Sequence, residues 1–298
     1  MKVLQRREDA HADGIWSVAW SAQTDSIVTA SVDCSLKTWD AALLPLSTLA
    51  GHELAAISVS ASPVGAYAAS SSLDSRIRIW DLGSGETRQV IDCGPVECWT
   101  VAYSPDGAHV ASGSQSGVVN LWGVQDGKKA RTFDPHGKFS MSCAFSPDGR
   151  KLATGDAEGQ VTVFDVQSGS TVCKLDGHSM AVRALAFMPD SEQLLTGSDD
   201  AHVHLHDLKR GAHVASLGGH STWVLALAAS PDRNMFASSS SDFKVKFWDL
   251  RKREDVHTSD AHSDQVWDLA YNHDGSRMVS VSDDRALVLH DTSVTLGE

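Results

Sequence analysis

Tyr67-Ala68-Ala69-Ser70-Ser71-Ser72, then Leu73-Asp74-Ser75, then Arg76-Ile77-Arg78-Ile79-Trp80-Asp81 follow one another without a break. The first stretch is a short β-type run and the second a tight turn. The third alternates polar and apolar residues, as a strand with one buried face does. Upstream, Ile57-Ser58-Val59 leads into the turn Ser62-Pro63-Val64-Gly65; downstream, Gly83-Ser84-Gly85 turns again and Thr87 to Ile91 supplies a fourth strand. No helical periodicity interrupts the run.

This unit is copied along the chain. Ser-Pro or its remnant stands at Ser62-Pro63, Ser104-Pro105, Ser146-Pro147, Met188-Pro189, Ser230-Pro231 and Asn272-His273, a constant step of 42 residues. A small residue and a histidine recur at Ala10-His11, Gly51-His52, Gly177-His178, Gly219-His220 and Ala261-His262, 41 residues apart at the first step and in multiples of 42 after it. His136 holds the register without the small residue, and Gly94 stands where the third copy lacks the histidine. Each copy closes at Trp39-Asp40, Trp80-Asp81, Trp122-Gly123, Phe164-Asp165, His206-Asp207, Trp248-Asp249 or His290-Asp291, which makes seven copies. A fixed period in this range means one supersecondary unit repeated head to tail. Four short antiparallel strands per copy cannot bury both faces alone, but seven copies stacked around an axis can. The sequence therefore predicts an all-β, seven-bladed propeller over residues 1–298, with blades ending near 40, 81, 123, 165, 207, 249 and 291.

Ring closure is also legible. After Asp291 too little chain remains for an outer strand, whereas Lys2-Val3-Leu4-Gln5-Arg6 is one strand too many at the start. We expect this segment to pair with the last blade as its outermost strand and so lock the ring.

Bulk properties exclude several function classes. The net charge of −13 opposes a dedicated nucleic-acid surface or docking on anionic membranes; an acidic surface also simply keeps a protein soluble. The five cysteines, Cys34, Cys93, Cys98, Cys143 and Cys173, are odd in number and irregularly spaced. They read as buried thiols in a reducing compartment, not as a disulfide framework or zinc site. The first residues carry no apolar stretch and no apolar run approaches a membrane span, so neither a signal peptide nor an anchor is expected.

Candidate chemistry is sparse. His202, His204 and His206 alternate on one strand, but three ligands in a line suit a tetrahedral ion poorly, and no metal or other cofactor is expected. Asp199-Asp200 and Asp283-Asp284 resemble paired carboxylates but flank strand-connecting turns. No nucleophile elbow, phosphate loop or metalloprotease helix occurs, so no catalytic residues are assigned.

Four of the nine tryptophans (Trp39, Trp80, Trp122 and Trp248) end third strands, and Trp20 sits at a core position of the first. The others fall in two registers: Trp16, Trp99 and Trp267 lie five residues after the histidine position, and Trp223 lies three after it. Phe139 takes the second register in its copy, while Met141 and Arg183 take the first in theirs. In a propeller these positions open onto the narrow, loop-bearing top face beside the channel. Aromatics with Met and Arg are what protein-binding hot spots are made of. The competing reading wedges them between neighbouring blades.

Gly-His near the start of a copy, Ser-Pro-Asp-Gly in its middle, Ser-x-Ser-x-Asp before the third strand and Trp-Asp at its end resemble the WD-repeat β-propeller family. The resemblance implies a hydrogen-bonded tetrad of loop histidine, strand Ser/Thr, turn aspartate and strand-end tryptophan. The matching positions are His11, Thr29, Asp33 and Trp39; His52, Ser70, Asp74 and Trp80; and His220, Ser238, Asp242 and Trp248. His206 and His290 replace the tryptophan in copies 5 and 7. Gly94 with Ser116, and Glu158 with Phe164, put the tetrad in doubt in copies 3 and 4. Six histidines hold the register, so they are not counted as free bases.

Within that family, the stretches 10–20, 69–82, 94–106 and 221–227 are similar to the WD-repeat subunits of the superkiller complex, a type of subunit also found in the polymerase-associated factor complex. The similarity implies a non-catalytic scaffold of nucleus and cytoplasm, monomeric within hetero-complexes. Its implied partners are a tetratricopeptide-repeat subunit and an RNA helicase of exosome-linked mRNA decay, and polymerase-associated factor subunits in transcription elongation and histone modification. It implies no direct contact with nucleic acid or membrane. The rival readings are a substrate-receptor or adaptor propeller of another complex, and a propeller enzyme, which would need charged groups where this chain carries aromatics.

Overall fold

The computed structural model describes residues 1–95, 98–231 and 235–293. Val96 and Glu97, inside the 94–106 stretch, and the last five residues of the tail lie outside the described residues. Among the described residues all 28 regular elements are strands, arranged in seven antiparallel four-stranded sheets. The four strands of blade 2 are Ala56–Ala61, Tyr67–Ser72, Arg76–Asp81 and Thr87–Asp92, paired in chain order from the channel outward. Ile77 and Ile79 alternate with Arg76 and Arg78 and are fully buried, as the period-2 pattern demands. Ser75 takes a left-handed φ of 66° in the turn before them, a conformation that a short polar residue tolerates.

Burial comes from stacking. The blade 1 residues Ile27 and Trp39 share a core with Val279, Val281, Leu287 and Leu289 of blade 7. Side chains of this size contribute about 1.5–3 kcal/mol each when fully buried. The first strand of each blade packs on that of the next, and Val266–Tyr271 of blade 7 packs on Ile15–Ser21 of blade 1, so the ring is closed. Lys2–Arg7 pairs antiparallel with Leu287–Asp291 and completes blade 7, in the order Lys2–Arg7, Leu287–Asp291, Arg277–Ser282, Val266–Tyr271. The N-terminal strand thus closes the propeller, as its sequence predicts.

Side-chain networks pin the loops that open onto the top face. In blade 2, His52 Nε2 lies 2.8 Å from Ser70 Oγ and His52 Nδ1 lies 2.8 Å from Asp74 Oδ2, while Trp80 Nε1 donates to Ser70 Oγ at 2.8 Å. Blade 1 repeats this with His11, Asp33, Thr29 and Trp39, and blade 6 with His220, Asp242, Ser238 and Trp248. In blades 5 and 7 an imidazole replaces the indole: His206 Nε2 lies 3.2 Å from Thr196 Oγ1 and His290 Nε2 lies 2.9 Å from Ser280 Oγ. Blade 3 keeps the outer link, Trp122 Nε1 to Ser112 Oγ at 2.9 Å.

Blade 4 corrects the sequence reading. His136 is not part of a network: its side chain is 82% exposed and pairs with Asp134 Oδ2 at 3.2 Å. With Glu158 at the turn there is no aspartate to receive the imidazole. Asp156, two residues earlier and buried, caps the turn instead by accepting from the backbone of Glu158 and Gln160 at 2.9 Å. Five histidines, not six, are therefore held in the register.

Candidate protein-docking site

The first strands carry a recurring defect that builds the site. Pairing with the second strand slips between Ile15 and Ser17, Ala56 and Ser58, Ser140 and Ser142, Val182 and Ala184, Val224 and Ala226, and Val266 and Asp268. One residue in each case is extra to the ladder: Trp16, Ile57, Met141, Arg183, Leu225 and Trp267. In blade 3 the equivalent Trp99 precedes Thr100–Tyr103, its N–H donating to Gly113 at 2.8 Å. A bulge kinks the strand and re-aims a side chain. Here it turns one side chain per blade into the mouth of the central channel, where all seven line a cavity of about 310 Å³.

The second register behaves differently. Phe139 and Trp223, three residues after the histidine position, sit over the boundary with the preceding blade. Trp99 of blade 3 meets Phe139 of blade 4 edge-on, with centroids 5.2 Å apart. The guanidinium of Arg183 in blade 5 lies over Trp223 of blade 6, 5.1 Å from its centroid. At the closure seam, Trp16 of blade 1 and Trp267 of blade 7 lie 5.3 Å apart with their planes tilted by 36°. The seven predicted residues therefore form three cross-blade pairs, with Met141 completing the set at the channel mouth. Trp223 is exposed at 42%, and the other six are half-buried. They do wedge between blades, and each keeps part of its surface free.

Carboxylates fix this rim. Arg183 donates to both oxygens of Asp199, Nε at 2.6 Å and Nη2 at 3.0 Å. Trp16 Nε1 donates to Asp283 Oδ1 at 3.1 Å. The two Asp-Asp pairs thus divide their work: Asp200 and Asp284 hold loop histidines, while Asp199 and Asp283 aim rim side chains. One step below the rim, small residues line the channel, with one carboxylate among them, Asp268. It accepts from Ser17 Oγ at 2.8 Å and from Val18 N–H at 2.9 Å across the seam. Burial pushes its carboxyl up to about 6.

Sequence reading put both registers on one face, and it missed Ile57, Leu225 and Asp268 and the aiming roles of Asp199 and Asp283. Counting five residues from every histidine position, aromatic or not, would have found Ile57 and Leu225. Asp283 and Asp268 act through contacts between blades and Asp199 through a contact across its own blade, and none of these has a local signal.

His202, His204 and His206 face no common point that a metal could occupy. His202 is half-exposed; His204 stacks on His178 with centroids 3.9 Å apart, and His206 is tied to Thr196. Burial, followed by the neighbouring imidazoles, drives His204 down to about 4 and His206 to about 3. Among the described residues no group of three or more His, Cys, Asp or Glu is placed to hold a metal ion.

The pattern of the family "WD domain, G-beta repeat" matches seven segments, residues 2–40, 43–81, 87–123, 127–165, 169–207, 211–249 and 253–291. The chain is similar to WD repeat-containing protein SL1-17 of Schistosoma mansoni, with 38% identity over 109 residues covering 34% of this chain and 36% of that protein. It is 37% identical to WD repeat-containing protein VIP3 of Arabidopsis thaliana over 105 residues, 34% of this chain and 33% of that one. It is 34% identical to Superkiller complex protein 8 of Dictyostelium discoideum over 98 residues, 32% of each. Each match spans about a third of the length of the curated relative.

Proposed function

Because the chain belongs to the WD-domain, G-beta-repeat family, we propose that it is a non-catalytic scaffold that docks a short partner segment on its top face. The carrying observation is the channel mouth. Six bulges and one strand start present seven side chains, mostly aromatic or aliphatic, and three cross-blade pairs brace them. Preorganised, half-buried aromatics around a concavity lower the entropy cost of capturing a chain. The partner we propose is the tetratricopeptide-repeat subunit of a superkiller-type complex, working with its RNA helicase. Likeness to Superkiller complex protein 8 supports this choice. A second assembly, with polymerase-associated factor subunits in the nucleus, extends the same proposal.

Replacing Trp99 and Trp267 together by alanine tests it. The double variant should lose co-purification of the tetratricopeptide subunit while its circular dichroism spectrum stays that of the folded propeller. Capture equal to wild type refutes the reading. Mass spectrometry of proteins retained by wild type and lost by the variant distinguishes this complex from another adaptor role.

A further inference from the structure

Each outermost strand carries a bulge of its own. Pairing with the third strand skips Leu46, Arg88, Ala130, Val172, Val214 and Val256 in blades 1 to 6, and Leu4 in blade 7. Ala130 is the smallest of these residues. At the boundary between blades 2 and 3, Arg88 lies over the Tyr67 ring, 4.6 Å from its centroid, and Tyr67 packs against the cluster that holds Tyr103. One blade on, the same three registers hold Ala130, His109 and Phe145. The long cation has become a methyl group and Tyr67 the smaller His109, and a cavity of about 420 Å³ lies between blades 3 and 4. The Ser104-Pro105 turn forms part of its wall, at the end of the blades away from the channel mouth.

The floor of this groove is apolar: Leu121 belongs to a buried cluster against which Phe145 and Val166 pack. Three charged side chains join it in the lining, Arg131, Asp106 and Asp148. Arg131 Nη1 donates across the boundary to Val166 O at 3.2 Å and Gln167 O at 3.0 Å, which fixes the guanidinium. The two carboxylates each use Oδ1 inside their own turns. Asp106 accepts from Ser104 Oγ and Ala108 N–H, and Asp148 from Ser146 Oγ and Arg150 N–H. Neither forms an ion pair among the described residues, so Oδ2 of each is open to a ligand. An apolar concavity with a few fixed polar groups is the usual form of a binding site.

We propose that this groove is a second docking site, which takes an extended segment of a partner protein carrying an apolar side chain beside a lysine or arginine. The apolar side chain enters where Ala130 leaves room and covers Leu121 and Phe145. The basic residue meets Asp106 and Asp148; both are exposed, so the pairing selects for charge and weakens with salt. The Arg131 N–H groups not spent on Val166 and Gln167 are donors for a backbone carbonyl of the segment. The site does not rest on the top-face docking proposed above. It lies at the other end of the blades, so one propeller can hold two segments at once.

The test selects short random peptides displayed on phage against the folded full chain, with Ala130→Leu as the counter-target. Leucine already occupies this register in blades 1 and 7, so the variant should fold. Enriched peptides should place a large apolar residue next to Lys or Arg. Binding of a labelled copy, read by fluorescence anisotropy, should weaken by about tenfold or more in Ala130→Leu. It should weaken severalfold in Asp106→Asn/Asp148→Asn, whose amide oxygens still accept the turn hydrogen bonds. Trp99→Ala/Trp267→Ala should bind the peptide as wild type does. Three results overturn the proposal: no sequence enriched over the counter-target, enriched sequences without a basic residue, or equal binding by wild type and Ala130→Leu. Binding lost in the tryptophan variant instead would place the peptide at the channel mouth and overturn it as well. A wild-type dimer in sedimentation velocity that Ala130→Leu abolishes would make the occupant a second copy of this chain, against the partner segment.

Discussion

Trp99 of blade 3 stands edge-on to Phe139 of blade 4 at a centroid separation of 5.2 Å. The pair crosses a blade boundary, so one contact both braces the ring and shapes the proposed docking face. Edge-to-face pairs add about 0.5–1.5 kcal/mol beyond burial.

That double role sets a first prediction. Trp99→Ala should cost about 1–3 kcal/mol in urea unfolding, counting lost burial and the lost pair. Phe139→Ala in the Trp99→Ala background should cost less than Phe139→Ala alone, a coupling that a double-mutant cycle reads directly. Strict additivity would mean the two rings act independently.

Removal of residues 2–7 should loosen the closure. The deletion strips the backbone partners of Leu287–Asp291 and leaves an open sheet edge. It also removes Arg6, which reaches Asp284 at 3.3 Å and donates to Ala261 O. At about 1 kcal/mol net per bond, stability should fall by roughly 3–5 kcal/mol, and the melting midpoint by roughly 6–10 °C. Differential scanning calorimetry checks this, and an unchanged midpoint contradicts it.

Ser70 receives the hydrogen bond of Trp80 Nε1 at 2.8 Å and lies 2.8 Å from His52 Nε2. Ser70→Ala leaves both buried nitrogens without their partner and should cost about 2–4 kcal/mol. His136→Ala, at an exposed histidine in the same register, should stay within about 0.5 kcal/mol of wild type. Equal costs would show that the register, and not the bonded network, matters.

Acid should destabilise blades 5 and 7. Burial holds His204 at about 4 and His206 and His290 at about 3, against an unfolded value near 6.5. Below pH 6.5 the unfolded chain therefore binds protons that the folded chain refuses, and stability falls with pH. Each histidine should cost on the order of 2 kcal/mol between pH 7 and pH 5. Asp268, raised to about 6, acts in the opposite sense, favouring the folded state as pH falls through that range. Three histidines outweigh one carboxyl, so the net slope is acid-labile. Tryptophan at positions 206 and 290, the residue of four other blades, should flatten the slope of melting midpoint against pH. An unchanged slope would place the acid sensitivity elsewhere.

The ring was legible because its cause is local and repeated. Alternation in Arg76–Asp81 specifies a strand, the period counts the blades, and a spare strand at Lys2–Arg7 fits the vacancy in blade 7. The docking face was legible only in part. Trp16, Trp99 and Trp267 announce themselves by size, but Ile57 and Leu225 share their bulge and look like ordinary strand residues. The sequence carries no sign that Asp199 aims Arg183 or that Asp283 holds Trp16, because each depends on how top-face loops fold back over the strands. Blade 4 misleads for a related reason. His136 keeps its place in the repeat, yet the aspartate that would receive it has become Glu158, and Asp156 has taken over the turn.

The central claim is that the channel mouth on the top face captures a partner segment. Amide hydrogen exchange of the propeller, alone and with the tetratricopeptide subunit bound, tests it most directly. The account predicts new protection confined to the backbone around Trp16, Trp99, Arg183 and Trp267 and to the loops above them. Protection at the Ser104-Pro105 and Ser146-Pro147 turns, at the opposite end of the blades, with the channel mouth unchanged, would contradict it.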